Sequence, residues 1–185
     1  MTCDVPTSGM YLRAARTYVI MEESDVQELV LSLSKVMPRF EDGRINYVGA
    51  DMVPFVMVFV RHEAQILLLR RSLAVETYKG KWGVVTGFLD EPVPIANKAL
   101  AEVREELGVS DADILSSVIG KPYMQTDPDI NGMWVSCPVT VTLRRKPEIR
   151  LDFEHTEYRW VLPEEVKRFE TTPRLYDALM RSLPQ

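Results

Sequence analysis

Cysteine is scarce, with two in 185 residues, and Cys3 near the N-terminus and Cys137 in an apolar stretch give no metal-ligand spacing and no disulfide framework. A long apolar run is also missing. The longest, Met52 to Val60, is interrupted by Pro54 and falls well short of the ~20 residues that span a bilayer. The first ten residues, MTCDVPTSGM, have neither a basic n-region nor an apolar h-region, so no secretory signal is expected. Positive charge is in deficit: the net charge is −5, which argues against general nucleic-acid binding by a basic surface and leaves room for a local basic pocket. The twelve prolines are scattered, and neither a repeat nor a low-complexity linker is visible. These absences point to a reducing, cytoplasmic setting with no membrane contact.

What remains is the composition of a globular chain, 46% hydrophobic and 26% charged. At this size a chain buries roughly 70% of its unfolded surface, so one core forms without staples. Residues 1–50 read as a separable N-terminal extension. It holds a short strand at Thr17–Met21 and a helix capped by Ser24, with Val26, Leu29, Val30, Leu33 and Val36 on one stripe. Residues 51–185 read as the main domain. A hairpin is expected from Pro54–Val60 and Gln65–Arg71 about a turn at residues 61–64, then a strand at Trp82–Leu89. The clearest helix runs from Pro94 to Leu107, with proline at its start and Gly108 just past its end. Strands at Ile114–Met124, Met133–Arg144 and Glu157–Val161 follow, with a short helix opened by Pro163 and another near Pro173–Leu183. Strands interrupted by one central helix and closed by helices indicate a layered α/β or α+β domain.

The central helix carries Glu102, Glu105 and Glu106 in its last two turns. At ~100° per residue, Glu106 lies roughly +40° and Glu105 roughly −60° from Glu102, beside the apolar stripe. The helix dipole disfavours anions at this end by a few tenths to ~1 kcal/mol each, and like charges at i+3 and i+4 repel. Lys98, four residues before Glu102, and Arg104 offer local compensation. A hard divalent cation, Mg²⁺ or Mn²⁺, fits three such carboxylates; a solvated acidic face is the plain alternative.

The frame around these glutamates resembles the Nudix box: Gly, five residues, Glu, seven residues, then Arg-Glu-aliphatic-x-Glu-Glu-x-Gly-aliphatic. Here it runs Gly87, FLDEP, Val93, PIANKAL, Ala101, Glu102, Val103, Arg104, Glu105, Glu106, Leu107, Gly108, Val109. The spacing is intact, and the two departures are Val93 for Glu and Ala101 for Arg. Trp82 upstream and the late Glu157–Val161 strand followed by Pro163-Glu164-Glu165 are similar to the wider pattern. The resemblance covers roughly residues 52 to 183. It implies an α/β/α sandwich with a mixed sheet, here with an N-terminal strand-helix extension that packs on the core or makes a homodimer. It also implies a divalent-metal-dependent hydrolase of the diphosphate linkage in a nucleoside diphosphate derivative, such as a nucleotide sugar, dinucleotide or nucleoside triphosphate.

By position, the resemblance makes Glu102, Glu105 and Glu106 the metal ligands, with Glu105 and Glu106 also catalytic, and Gly87 the residue that lets substrate approach the backbone. A late carboxylate commonly serves as base or extra ligand; Asp152, Glu154 and Glu157 are candidates, Glu154 foremost. Arg70, Arg71 and Lys81 are candidate cations for the diphosphate. Tyr78, Trp82, Phe88 and Tyr123 are candidates for stacking on a base or for capping a core. His155, with no nucleophile near it in sequence, is expected to have no catalytic role, and Cys137 to be strand packing. Family members typically use the residues missing at positions 93 and 101 as an ion pair that supports the loop and orients the catalytic glutamate. Replacing both by apolar residues spares the fold more than catalysis. A catalytically weak nucleotide-binding or regulatory module is therefore the alternative reading.

Overall fold

Side-chain alternation along one central strand sets the architecture of the computed structural model, which describes residues 18–126 and 132–182. Cys3, Thr17, Leu183 and the interior of the 126–132 loop lie outside the described residues. The elements are β1 (Val19–Ile20), α1 (Glu23–Val36), β2 (Met52–His62), β3 (Gln65–Arg71), β4 (Trp82–Gly83), β5 (Val85–Phe88), α2 (Ile95–Leu107), β6 (Ile114–Ile119), β7 (Tyr123–Thr126), β8 (Met133–Leu143), β9 (His155–Val161) and α3 (Leu175–Ser182), with a 3₁₀ turn at Pro163–Arg168. Val56, Val58 and Val60 of β2 join a core with Ala99, Val103 and Leu107 of α2 and Val26 and Val30 of α1. Met57 and Phe59, pointing the other way, pack with Val166 and with Leu175, Ala178 and Leu179 of α3. Period-2 alternation thus puts helices on both faces of one sheet, an α/β/α sandwich.

The sheet is mixed. Strands β2 and β8 run parallel in register from Met52↔Met133 to Arg61↔Thr142, while β5, β6, β7 and β9 pair antiparallel with their neighbours. The hairpin expected at 54–71 is shorter than its sequence suggests: β2 and β3 pair only at Arg61↔Ile66 and His62↔Gln65. Beyond that the strands diverge, β5 pairs with β2 from Phe55↔Phe88 to Val58↔Val85, and β3 turns to β9. Strand β5 thus takes the place beside β2 that β3 leaves, and Phe55 and Met57 of β2, Thr86, Gly87 and Phe88 of β5 and Arg71 at the end of β3 line the cavity described below. The single strand expected at 114–124 is split into β6 and β7, both on β8, because Pro122 and Pro138 each lack a ladder donor.

Helix α1 starts earlier than expected. Glu22 rather than Ser24 caps it, and the Glu22 N–H donates to Asp25 Oδ2 at 3.0 Å. Acidic side chains in the first turn complement the dipole. Helix α2 ends as its glycine requires: Gly108 takes a left-handed φ of 65°, and its N–H donates to the Arg104 carbonyl at 3.0 Å. The stretch after α1 reaches the loop before α2, where the Ile45 N–H donates to the Asp90 carbonyl at 2.8 Å and the Tyr47 hydroxyl to the Leu89 carbonyl at 2.5 Å.

Candidate active site

The loop-helix unit Gly87–Gly108 forms one wall of a cavity of about 330 Å³, and β2, β8 and the 71–78 segment form others. A wheel alone cannot say which side of α2 meets this cavity. In the structure Glu102 lines it. Glu106, one turn on, lies beneath the lining at 5% exposure, where its Oε1 accepts from the Thr86 N–H at 3.3 Å. Glu105 is exposed and lines a second hollow with Val93 and Ala101.

Gly87 is where the backbone gives way to the acid. A β-carbon there would sit 2.1 Å from Glu102 Oε1, so only glycine leaves the carboxylate its place. Glu102 is also held from its own helix: Lys98 Nζ donates to Glu102 at 2.9 Å and to Asp90 Oδ1 at 3.0 Å. Burial alone would depress the Lys98 pKa, but these two acceptors outweigh it and hold the ammonium above its ordinary value. Burial raises the Glu102 carboxyl, and the neighbouring Glu105 and Asp90 charges add to this against the pull of Lys98.

Glu106 is the most perturbed of the three. Desolvation, followed by repulsion from Glu102, Glu154 and Asp152, pushes its pKa up to about 9. Its Oε2 has no hydrogen-bond partner and faces Nδ1 of His155 at 3.6 Å, with Asp152 Oδ1 3.4 Å from the same nitrogen. Burial lowers the His155 pKa, so the imidazole is neutral beside a carboxyl that favours its proton. His155, set aside in the sequence, is therefore a buried neighbour of the central glutamate; β3–β9 pairing at Arg71↔His155 puts it there, a register no local pattern encodes.

Glu154, beside His155, lines the cavity, and burial and Asp152 raise its pKa. Arg71 lines it too, its Nε donating to the Thr77 carbonyl at 3.0 Å. Arg70 points elsewhere, with Nη1 3.5 Å from Glu157 and Nε donating to the Gly80 carbonyl at 3.3 Å. Lys81 stands 3.9 Å from Glu170, and neither it nor Arg70 is in the lining. Of the aromatic candidates, Tyr78 and Phe88 face the cavity, whereas Trp82 and Tyr123 are buried in the core under α3. The sequence did not single out Phe55 and Trp134, which complete an apolar wall: Trp134 meets Phe55 edge-on at 5.6 Å and lies nearly parallel to Phe88, centroids 6.2 Å apart. Arg44, from the N-terminal stretch, was missed as well; it lines both hollows. Cys137 is fully buried, its thiol pushed up to about 12 by burial, which suits packing rather than nucleophilic chemistry.

Among the described residues no three His, Cys, Asp or Glu side chains are grouped as a formed metal cage. The donor chemistry nonetheless suits a hard cation. The available atoms are carboxylate oxygens, one of them buried without a partner, and the repulsion that raises Glu106 is what a divalent ion would relieve.

Residues 52–181 match the NUDIX domain. No curated protein matches the sequence significantly. Among solved structures, the MutT protein of Methanosarcina mazei Go1 is 26% identical with a TM-score of 0.55, the match covering 70% of this chain and 91% of that one. An Ap4A hydrolase of C. elegans, in a binary complex, is 14% identical with a TM-score of 0.54, covering 70% and 93%. A bifunctional NMN adenylyltransferase/ADP ribose pyrophosphatase of Francisella tularensis, complexed with AMP and a manganese ion, is 16% identical with a TM-score of 0.56, covering 85% and 46%. At 14% and 16% identity the last two share the fold. With residues 52–181 matched, most of its length, the chain belongs to the NUDIX domain family.

Proposed function

We propose that the protein hydrolyses the diphosphate linkage of a nucleoside diphosphate derivative with the help of Mg²⁺ or Mn²⁺. The observation that carries this reading is the meeting, around one cavity, of Glu102 against Gly87, Glu154, two arginines and an aromatic wall. A volume of about 330 Å³ lies at the lower end of the range for small-molecule sites.

Glu102 and Glu106 would hold the cation, with Glu154, which lines the same cavity and whose charge acts on Glu106, as a further oxygen donor or as the base. A bound divalent ion supplies charge neutralisation at the phosphate oxygens and a lowered pKa for the attacking water. The chain's own groups do the rest. Arg71 and Arg44 bind the diphosphate oxygens. The Phe55, Phe88 and Trp134 wall takes the nucleobase and excludes water from that end. A Glu154 carboxylate oxygen, its pKa raised by burial, accepts the proton of the attacking water as it adds to phosphorus, and the P–O bond to the leaving phosphate breaks. Glu105, exposed and turned about 60° round α2 from Glu102, acts through its charge on Glu102.

A homodimer through the N-terminal stretch belongs to the same reading, since Leu31, Val36 and Val48 are apolar and exposed there; light scattering reads it. A cytoplasmic setting suits the free, buried Cys137, and no helix among the described residues is long and apolar enough to cross a membrane.

The test is a panel of nucleotide sugars, dinucleotides and nucleoside triphosphates, incubated with purified protein and either metal and assayed for phosphate-bearing products. Turnover abolished by Glu106→Gln supports the reading. Saturable binding without turnover supports the ligand-binding alternative instead.

A further inference from the structure

Val93 and Ala101, the two departures from the box, line one hollow of about 480 Å³ together with Arg44, Lys98 and Glu105. Both positions open on the same space, so a pair placed there would meet, and its absence here is the loss of one interaction. The charges that hold this loop come from other residues. Lys98 Nζ bridges Asp90 and Glu102 at 3.0 and 2.9 Å, and the three side chains are 12%, 8% and 13% exposed. Arg44 Nη1 reaches the second Asp90 oxygen at 3.5 Å. The backbone on either side of that carboxylate is pinned by the Ile45 N–H and the Tyr47 hydroxyl. Arg44, Ile45 and Tyr47 all precede residue 52, where the family match begins.

A buried ammonium with two carboxylate partners is costly to disturb, because removing it leaves two desolvated anions facing each other. Its geometry also does what the absent pair would do: it ties the loop after Gly87 to the helix turn that presents Glu102. We propose that Lys98 is the positioning residue for Glu102, and that the Lys98–Asp90–Arg44 chain is a relocated counterpart of the missing box pair, with its outer end supplied by the N-terminal extension. This rests on Glu102 acting in the cavity as proposed above. It gives residues 44–47 a role in catalysis through Asp90, and it makes Val93 and Ala101 tolerable rather than disabling.

The experiment is a compensation series: Lys98→Met, Lys98→Arg, Val93→Glu with Ala101→Arg, and that pair added to Lys98→Met and to Asp90→Asn. Asp90→Asn, which keeps shape and removes charge, runs beside them in case Lys98→Met fails to fold. Lys98→Met is expected to lower kcat by roughly 10- to 100-fold with KM within about threefold, as for removal of an orienting partner. Lys98→Arg restores part of kcat. The added pair restores most of it in the Lys98→Met and Asp90→Asn backgrounds, and changes the unsubstituted protein by less than about threefold. A rise in KM with kcat unchanged would make Lys98 a phosphate ligand and overturn the proposal, as would failure of the added pair to rescue. Crystal structures of the same variants give a reading independent of turnover. The Glu102 carboxylate should leave Gly87 in Lys98→Met and return when the pair is added; a carboxylate that stays overturns the proposal. A carboxylate that moves in a protein hydrolysing nothing overturns the hydrolase reading and upholds the positioning one.

Discussion

Glu102 occupies the space that a side chain on Gly87 would need. A β-carbon at position 87 would stand 2.1 Å from Oε1 and 2.6 Å from Cγ of the glutamate. The collision reaches the stem of the side chain, so turning the carboxylate alone does not relieve it, and Lys98 opposes any swing. Gly87→Ala is therefore expected to fold, since only one flexible side chain must move, and to lose kcat by roughly 100-fold, the cost of misplacing a reacting group by about an ångström. Circular dichroism and steady-state kinetics on the same preparation check both halves. Wild-type kcat in Gly87→Ala would show that the contact has no part in turnover.

Glu106→Gln should separate activity from stability. Removing the charge is expected to lower metal-dependent kcat/KM by at least about 100-fold. The same change removes an anion that burial opposes, so in chelator at pH 9 the variant should melt no lower than the parent. Scanning calorimetry with and without Mg²⁺ reads the second effect. A marked loss of melting temperature in chelator would mean that the carboxylate is paired in the folded protein after all.

The metal-free protein should lose stability as pH rises from 7 to 9. A carboxyl whose folded pKa is raised to about 9 binds more protons folded than unfolded across the interval above the ordinary carboxylate range. Its stabilising effect is complete at low pH and is lost as the pH climbs, with a slope of up to ~1.4 kcal/mol per pH unit for one proton. His155, its pKa lowered, contributes the opposite sign at and below its ordinary titration range and is neutral in both states at pH 8 and above. Urea midpoints at pH 7, 8 and 9 in chelator should fall in sequence, and Mg²⁺ should flatten the series. A rise with pH in chelator would contradict the burial of Glu106.

Trp134 offers an optical handle on the aromatic wall. Its ring lies almost parallel to Phe88 at the cavity. Nucleotide should change its fluorescence, and Trp134→Ala should raise KM about tenfold while kcat stays within about threefold, the signature of lost base contact. An unchanged KM would move the base elsewhere.

These expectations trace back unevenly to the sequence. The box helix and its ends were legible because Pro94, the apolar stripe and Gly108 are local signals. The layered fold was legible from periodicity. A wheel puts Glu102, Glu105 and Glu106 on one side of α2 but does not give the direction in which the cavity opens, so it does not tell that Glu102 lines the cavity, Glu106 lies buried beneath it and Glu105 meets solvent. Lys98 was visible as a neighbour of Glu102 at i−4, yet its second partner, Asp90, depends on loop closure. Arg44 and the Phe55–Trp134 contact depend on chain segments far apart in sequence. The parallel β2–β8 register that aligns Val53 with Trp134 leaves no mark in either strand alone.

Glu105 and Glu106 are consecutive, yet the first meets solvent while the second is 5% exposed. Mobile ions screen exposed charges strongly and buried ones little. Raising the ionic strength should therefore weaken whatever Glu105 attracts or repels in solution and leave the energetics of Glu106 almost untouched. A single peptide bond separates a charge tuned by the surrounding electrolyte from one insulated from it.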